Sequence, residues 1–273
     1  MRWRHTARYW HRLGSRNPFG VILTGPDLQP GQWDADAFFR TGVQDVAYVC
    51  AQLAQLAPDL PRRRALDFGC GVGRITRALA AHFDAVTGVD VAASMIAGAR
   101  RLNASIPNCT FRVNRAGRLR LFGDAAFDFV YSRLVLQHIP PRAAARYIAE
   151  LVRVLAPGGV LMFQIPEPLE HDPDALFSAE ERAFVDAPVA ETPIKRLLPR
   201  WLIRGYRHVR FRRIVRRQGR VHRMYMFGMT RDAVLDVLRR AGALVLRVDA
   251  DQSHGTEGPG YVYWITKRAD ASR

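Results

Sequence analysis

The chain has 273 residues, 48% hydrophobic and 24% charged, which suits one full α/β domain with additions and a large buried core. Its three cysteines, Cys50, Cys70 and Cys109, lack metal-ligand spacing, which argues against a disulfide framework or a zinc site and fits a reducing cytoplasm. The net charge of +16 invites a nucleic-acid reading, but twelve of those positive charges sit between Lys195 and Arg223, a stretch without an acid, so the rest of the chain is not notably basic.

Residues 1–31 are rich in Arg, Trp, Tyr and Gly and show no clear period, so they read as an irregular or short-helical lead-in. They lack the apolar centre of a signal peptide, and no stretch of the chain approaches the ~18–20 apolar residues of a membrane span. Asp34 is placed to cap a helix running to about Leu56, because Phe38, Phe39, Val43, Val46, Val49, Leu53 and Leu56 recur every three or four residues.

Ala65 to Phe68 then reads as a short buried strand and Ile75 to Ala81 as a helix, with Gly69, Gly71 and Gly73 between them. Glycines let a ligand approach the backbone closely, and a helix start offers unpaired N–H groups at the positive end of its dipole. A dinucleotide fingerprint needs glycine at position 74, where this chain has Arg74. The next strand, Ala85 to Asp90, ends in a carboxylate suited to accept both hydroxyls of a ribose.

A helix over Ala93 to Leu102 follows, then a strand over Cys109 to Val113 and another over Phe127 to Ser132. Helical spacing resumes at Ala143 and runs through Tyr147, Ile148, Leu151 and Leu155, until Pro157-Gly158-Gly159 breaks it. Val160 to Ile165 is the fifth strand. Residues 167–227 form an insertion, acidic and proline-spaced at first and arginine-rich afterwards. A last helix, capped by Thr230 and ended by Gly242, leads into two strands, Ala243 to Val248 and Gly260 to Thr266.

The order Asp67-x-Gly69-x-Gly71-x-Gly73, then Asp90, then Arg153-Val154-Leu155-Ala156-Pro157-Gly158-Gly159, resembles the class I S-adenosylmethionine (SAM) dependent methyltransferases of the small-molecule type. The resemblance covers about residues 33–165 and 228–268. It implies a Rossmann-like α/β fold: a doubly wound, seven-stranded, mostly parallel sheet with an antiparallel last strand, preceded by a helical lead-in and carrying a basic insertion after strand five. The implied parts are a lead-in and opening helix (1–60), a SAM-binding core (61–166), the insertion (167–227) and a completing helix and strand pair (228–268).

By the same resemblance, SAM is the cofactor. Asp67, Gly69, Cys70, Gly71 and Gly73 cradle its methionine part, Asp90 holds the ribose, Val91 is a further cofactor contact, and Met95 lies against the adenine. Ser132 and Gln137 add cofactor contacts at the end of strand four. The family's usual aspartate after strand three is replaced here by Asn114-Arg115-Ala116, so adenine recognition passes to Asn114 or to backbone atoms. The segment from Gln32 to Gly42 resembles the opening helix that lids the SAM pocket in bacterial members, and equally reads as a helix packing on the sheet.

His138, just after strand four, is the candidate general base for a hydroxyl acceptor, and equally reads as a capping or core histidine. Gln137, Gln164 and Glu167 stand at carboxyl ends of strands and are candidates for the acceptor pocket. Base-modifying enzymes carry Asn/Asp-Pro-Pro-aromatic after strand four, whereas this chain has Ser132-Arg133-Leu134-Val135 and no Pro-Cys nucleophile, so a nucleic-acid substrate is disfavoured. No metal is implied.

The basic insertion has three readings: a face for a phosphate-bearing or lipid-linked acceptor, an amphipathic surface for anionic lipid at the inner membrane face, or a solvated cap. The leading expectation is a cytoplasmic enzyme methylating a hydroxyl of a small molecule or glycan. Its alternatives are a SAM- or acceptor-binding protein without turnover and a lipid or quinone methyltransferase at a membrane surface. A nicotinamide oxidoreductase is disfavoured by Arg74.

Overall fold

Seven strands assemble into one sheet, and the central ones are apolar on both faces and have to be covered twice, whereas those at its two edges are partly exposed. In the computed structural model, which describes residues 10–12, 14–15, 18–19, 22, 34–168, 226–252 and 259–268, they are β1 (Arg64–Phe68), β2 (Ala85–Asp90), β3 (Cys109–Val113), β4 (Phe127–Ser132), β5 (Leu155–Pro166), β6 (Ala243–Asp251) and β7 (Gly260–Lys267). The spatial order is β3-β2-β1-β4-β5-β7-β6. Strands β1 to β5 pair in parallel, and β7 runs antiparallel between β5 and β6. This is the expected doubly wound sheet with an antiparallel last strand.

The helices are α1 (Ala35–Leu56), α2 (Arg74–Leu79), α3 (Ala93–Leu102), α4 (Pro141–Val154) and α5 (Arg231–Arg240). Alternate residues of each strand face opposite layers. Ala65, Phe129, Tyr131, Val160, Met162 and Trp264 pack with Val46, Val49 and Leu53 of α1 and Ile75 and Leu79 of α2. Leu66, Phe68, Val130, Leu161, Phe163 and Tyr263 pack with Tyr147, Ile148 and Leu151 of α4 and Val234 and Leu238 of α5. The caps fall where the sequence put them: Asp34 accepts from the Asp36 and Ala37 N–H groups, and Thr230 from that of Ala233.

Three local expectations need correction. Val43, counted on the apolar face of α1, is 59% exposed. Helix α4 starts at Pro141 rather than Ala143, because a proline in the first turn has its φ preset and gives up an N–H that has no helical partner there. Strand β5 begins at Leu155, not Val160: Leu155 pairs with Phe127, and a register shift between Phe127 and Phe129 absorbs Pro157-Gly158-Gly159 as an irregularity within the strand.

The chain divides into a unit of residues 1–169 and 226–273 and a unit of residues 170–225, and the described residues belong to the first. The arginine-rich stretch 195–223 lies outside the described residues. Among the described residues no helix is long and apolar enough to cross a membrane, and no cluster of three His, Cys, Asp or Glu side chains is placed to hold a metal ion.

Candidate active site

The strand order reverses between β1 and β4: from β1 the chain winds outward through β2 and β3, then returns to place β4 on the other flank. In open parallel sheets the crevice above such a reversal, at the carboxyl ends of the strands, is where ligands bind. The glycine turn after β1 and the turn after β4 meet there. Gly69, Gly71 and Gly73 all have left-handed φ, at 82°, 54° and 87°. A Cβ at Gly69 would lie 2.3 Å from Val135 Cγ2, so the missing side chain is what lets the two turns touch.

The turn's own N–H groups are already engaged. Those of Gly69 and Cys70 donate to the Val89 carbonyl at 2.8 and 3.0 Å, and that of Gly73 donates to the Cys70 carbonyl. Gly71 N–H donates to Asp90 Oδ2 at 3.0 Å. The start of α2 is occupied as well, because Thr76 Oγ1 donates to Asp67 Oδ2 at 2.6 Å and the Thr76 backbone N–H is also directed at that carboxylate. This corrects the expectation of free donors at a helix start: Asp67 itself takes the place an anion would fill. The crevice therefore presents close-packed backbone with one half-buried carboxylate, Asp90, beside it, while Asp67 is buried.

Burial pushes the Asp67 carboxyl up to about 6, against the lowering effects of the Thr76 bonds and Arg74. Asp90 is also raised by burial, opposed by the N–H groups of Ala92, Gly71 and Val91 that hold its carboxylate. The buried Cys70 thiol is raised by burial and by these two carboxylates, so it packs and does not react.

Towards β3, Met95 is 2% exposed and sits in an apolar cluster with Phe38, Phe39, Val72 and Ala92. Asn114 is buried at the end of β3. Its backbone N–H donates to the Asp90 carbonyl at 2.8 Å, and its side chain is hydrogen-bonded to Tyr147.

Beyond β4, Ser132 Oγ is fully buried and has no hydrogen-bond partner among the described residues. Leu134 holds a left-handed φ of 59°, pinned where its N–H donates to Gln164 Oε1 at 3.2 Å. The Gln137 carbonyl accepts from Phe227 N–H, and its amide nitrogen lies 3.5 Å from His138 Nε2. Arg133 is drawn to Asp45 of α1 and Asp251 of β6, and Asp45 also pairs with Arg74 at 2.6 Å.

With that geometry in view, the comparisons with known proteins agree among themselves. A family described as a methyltransferase domain matches residues 65–159. That span runs from the glycine turn through Asp90 to the Pro-Gly-Gly of β5. The chain carries a class I SAM-dependent methyltransferase domain. Over 136 residues it is 35% identical to a trans-aconitate 2-methyltransferase of Deinococcus radiodurans, covering 48% of this chain and 49% of that protein. Over 138 residues it is 40% identical to a malonyl-[acyl-carrier protein] O-methyltransferase of Herminiimonas arsenicoxydans, covering 48% and 46%. The chain thus spans about half the length of the curated relatives it matches. In structure it is similar to magnesium protoporphyrin IX methyltransferase from Synechocystis PCC 6803, with a TM-score of 0.59 at 17% identity over 97% of this chain and 99% of that one, which shows the shared fold.

The cofactor of this methyltransferase domain is SAM, and the residues present fit it. Asp90, at the end of β2, is a half-buried carboxylate held in place by the N–H groups of Gly71 and Ala92 and free on its other side to accept ribose hydroxyls. Of the expected residues, Asp67, Gly69, Cys70, Gly71, Gly73, Asp90 and Val91 gather on one side of the crevice, and Ser132, Gln137 and His138 follow β4 on the other. Asn114 and Met95 are buried on the β3 side of the crevice. Sequence reasoning missed Thr76, which holds Asp67, and Val135, which packs on Gly69. A hydroxyl two residues into a short helix that starts without a side-chain cap was the available signal for Thr76.

Proposed function

We propose that the chain transfers a methyl group from SAM to an oxygen of a small-molecule acceptor, with His138 as the base when that oxygen is a hydroxyl. The observation that supports this reading is the contact of the two turns at Gly69 and Val135, which sets a histidine three residues beyond the point of contact with the cofactor turn.

SAM supplies an electrophilic methyl group when bound, so the protein has to bind, orient and exclude water. In this reading Asp90 accepts the ribose hydroxyls with a carboxylate oriented beforehand by backbone N–H groups. Asp67 is the internal cap that shapes the turn. Gln137 Nε2 lies 3.5 Å from His138 Nε2 and donates there in the Nδ1-protonated tautomer, so the acceptor's hydroxyl would displace that contact to pass its proton to Nε2. Gln164 and Glu167 stand at the acceptor side.

A second reading is favoured by the relatives. One is named for trans-aconitate, a polycarboxylate, and another for O-methylation of a malonyl group. A carboxylate acceptor is already a competent nucleophile, so it dispenses with the base and leaves His138 to position the substrate. Incubating a metabolite extract with methyl-labelled SAM and following the labelled product through mild alkali separates the two readings. A methyl ester releases its label and a methyl ether retains it. Absence of any labelled product despite SAM binding would leave the non-catalytic binding protein as the reading.

A further inference from the structure

Strand β5 carries one hydrogen-bonding side chain, Gln164, which is fully buried two residues before the strand ends at Pro166. Burying a carboxamide in an apolar strand is costly unless its oxygen and its two N–H groups are all answered. Here only the oxygen is answered: Gln164 Oε1 accepts the Leu134 N–H at 3.2 Å. A backbone N–H can meet the oxygen and not the nitrogen, so this contact fixes which end of the carboxamide is which. Nε2, a group that only donates, is buried with no hydrogen-bond partner among the described residues.

Leu134 belongs to the turn after β4, in which Val135 lies against Gly69 of the cofactor side, and its own φ is left-handed at 59°. One hydrogen bond thus joins a strained residue to an unanswered donor, at the carboxyl ends of two adjacent parallel strands. Ser132 Oγ, at the end of β4, is likewise buried and unpaired among the described residues. Local strain and unpaired buried groups persist together where a ligand completes them. The charge nearby is already matched, since the Arg133 guanidinium lies 3.8 Å from Asp45 and 3.3 Å from Asp251. What is left for a ligand at Gln164 is a neutral donor.

We propose that Gln164 Nε2 binds the non-reacting oxygen of a carboxylate acceptor, so that Gln164 selects a carboxylate over a lone hydroxyl. The proposal rests on the carboxylate reading and adds to it the residue that recognises the group. A carboxamide whose oxygen is engaged cannot take up a proton, so it answers lone pairs, and a carboxylate offers them on both oxygens with no proton to lose. One carboxylate oxygen forms the new bond to the methyl carbon as the carbon–sulfur bond breaks, its electron pair stays on sulfur, and no proton moves. The ester formed is neutral. A neutral donor therefore suits the step better than a cation, which would hold the charged acceptor more tightly than the transition state.

The test compares the full chain with Gln164→Glu and Gln164→Met, using methyl-labelled SAM and a metabolite extract as the source of acceptor. Alkali-labile label is followed against extract concentration, alongside thermal unfolding and the affinity for S-adenosylhomocysteine (SAH), the demethylated product. Glutamate keeps an oxygen for the Leu134 N–H and, when ionised, has nothing to donate. At about pH 8 its apparent KM for the extract should rise about tenfold or more, the worth of a hydrogen bond to a charged group, with SAH affinity unchanged. At about pH 5.5 that KM should return towards the parent's at the same pH, because burial raises a glutamate's pKa and its protonated carboxyl donates again. A role confined to holding Leu134 gives no recovery in acid, and that result overturns the proposal. Gln164→Met lacks a donor at every pH, so its KM should stay raised throughout, which also keeps the test open should the glutamate variant not fold. Unchanged KM in either folded variant, while the parent makes alkali-labile label, overturns this inference alone. Alkali-stable label from the parent, or none, defeats the carboxylate reading and takes this inference with it.

Discussion

The two sides of the crevice are built on opposite principles. On the cofactor side, the two carboxylates and the amides of Gly69, Cys70, Gly71 and Gly73 are answered from within. Asp90 is held by backbone N–H groups, Asp67 by Thr76, and the turn's amides by Val89 and Cys70. On the acceptor side, Ser132 Oγ and Gln164 Nε2 are buried with no hydrogen-bond partner among the described residues, and Leu134 sits in a left-handed conformation that a leucine rarely adopts. An internally satisfied side binds with geometry already set, while unpaired buried groups and local strain mark a side still waiting for a partner. The first arrangement suits a ligand common to a whole family, the second an acceptor particular to one member.

The largest expected effect lies on the acceptor side. If His138 is the base, His138→Ala lowers turnover by ~10²–10⁴-fold and leaves SAH affinity nearly unchanged. Steady-state rates with SAH calorimetry check this. A parallel fall in both would erase the distinction between the two sides, and unchanged turnover would move the reading to the carboxylate acceptor.

Next comes Gly69→Ala, which strikes the seam where the sides meet. A left-handed φ of 82° and the Val135 methyls 2.3 Å from the new Cβ both oppose it. The conformational part costs roughly 1–2 kcal/mol and the overpacking a further ~1–3 kcal/mol. Chemical denaturation should therefore show a loss of several kcal/mol. Gly71→Ala, facing only the tip of Ile22, should lose less stability.

The two carboxylates of the cofactor side then separate from each other. Asp67 is raised from 3.8 to about 6 by burial. A carboxyl with a raised folded-state pKa favours the fold while protonated, so its contribution is complete below pH 3.8 and is lost as pH climbs through about 6. Linkage sets that loss on the order of 2–3 kcal/mol. Asp67→Asn keeps an acceptor for Thr76 and sheds the buried charge, so its unfolding midpoint should overtake the parent's between pH 5 and pH 8, with a small difference at the acid end. Asp90→Asn should instead weaken SAH binding by about 1.5–3 kcal/mol, the worth of a hydrogen bond to a charged group. If both variants behave alike, the division into an internal cap and a ligand contact fails.

How far this contrast was legible in the sequence depends on the range of the interactions. The strands could be read because most are apolar runs between turn signals, their arrangement in the sheet came through the family resemblance, and Asp34 and Thr230 announce their helices by local chemistry. The left-handed turn at Gly69, Gly71 and Gly73 and the carboxylate that ends β2 were legible as structure, because few residue types meet such requirements. Asp67 was legible as a position and misread as a role, since its partner Thr76 lies across the turn. Trp10, His11 and Ile22 were illegible as packing partners of the domain. They share no period, and their contacts with His138, Ser94 and Gly71 span most of the domain. The exposure of Val43 failed for a related reason, since helical spacing marks a face without fixing how wide the buried part is.

The smallest effect tests whether the arginine-rich stretch 195–223, outside the described residues, belongs to the acceptor side of the comparison. The described ends of the insertion, Glu167 and residues 226–229, meet beside the turn after β4, where Phe227 N–H donates to the Gln137 carbonyl and Met229 N–H to the Pro166 carbonyl. The described residues that flank the insertion therefore lie beside the turn after β4. Its twelve basic residues include only one lysine, and the planar guanidinium fork binds carboxylate or phosphate through two oxygens at once. Replacing Arg212, Arg213, Arg216 and Arg217 with Gln should leave SAH affinity and dissociation unchanged. It should raise the KM of an anionic acceptor a few-fold, by an amount that shrinks as salt is added, because exposed charges are screened over roughly 8 Å at physiological ionic strength. Loss of co-sedimentation with anionic vesicles at unchanged KM would instead assign the arginines to a membrane surface. If neither KM nor sedimentation moves, the arginines are a solvated cap, and the acceptor side owes its chemistry to Ser132, Gln137, His138 and Gln164 alone.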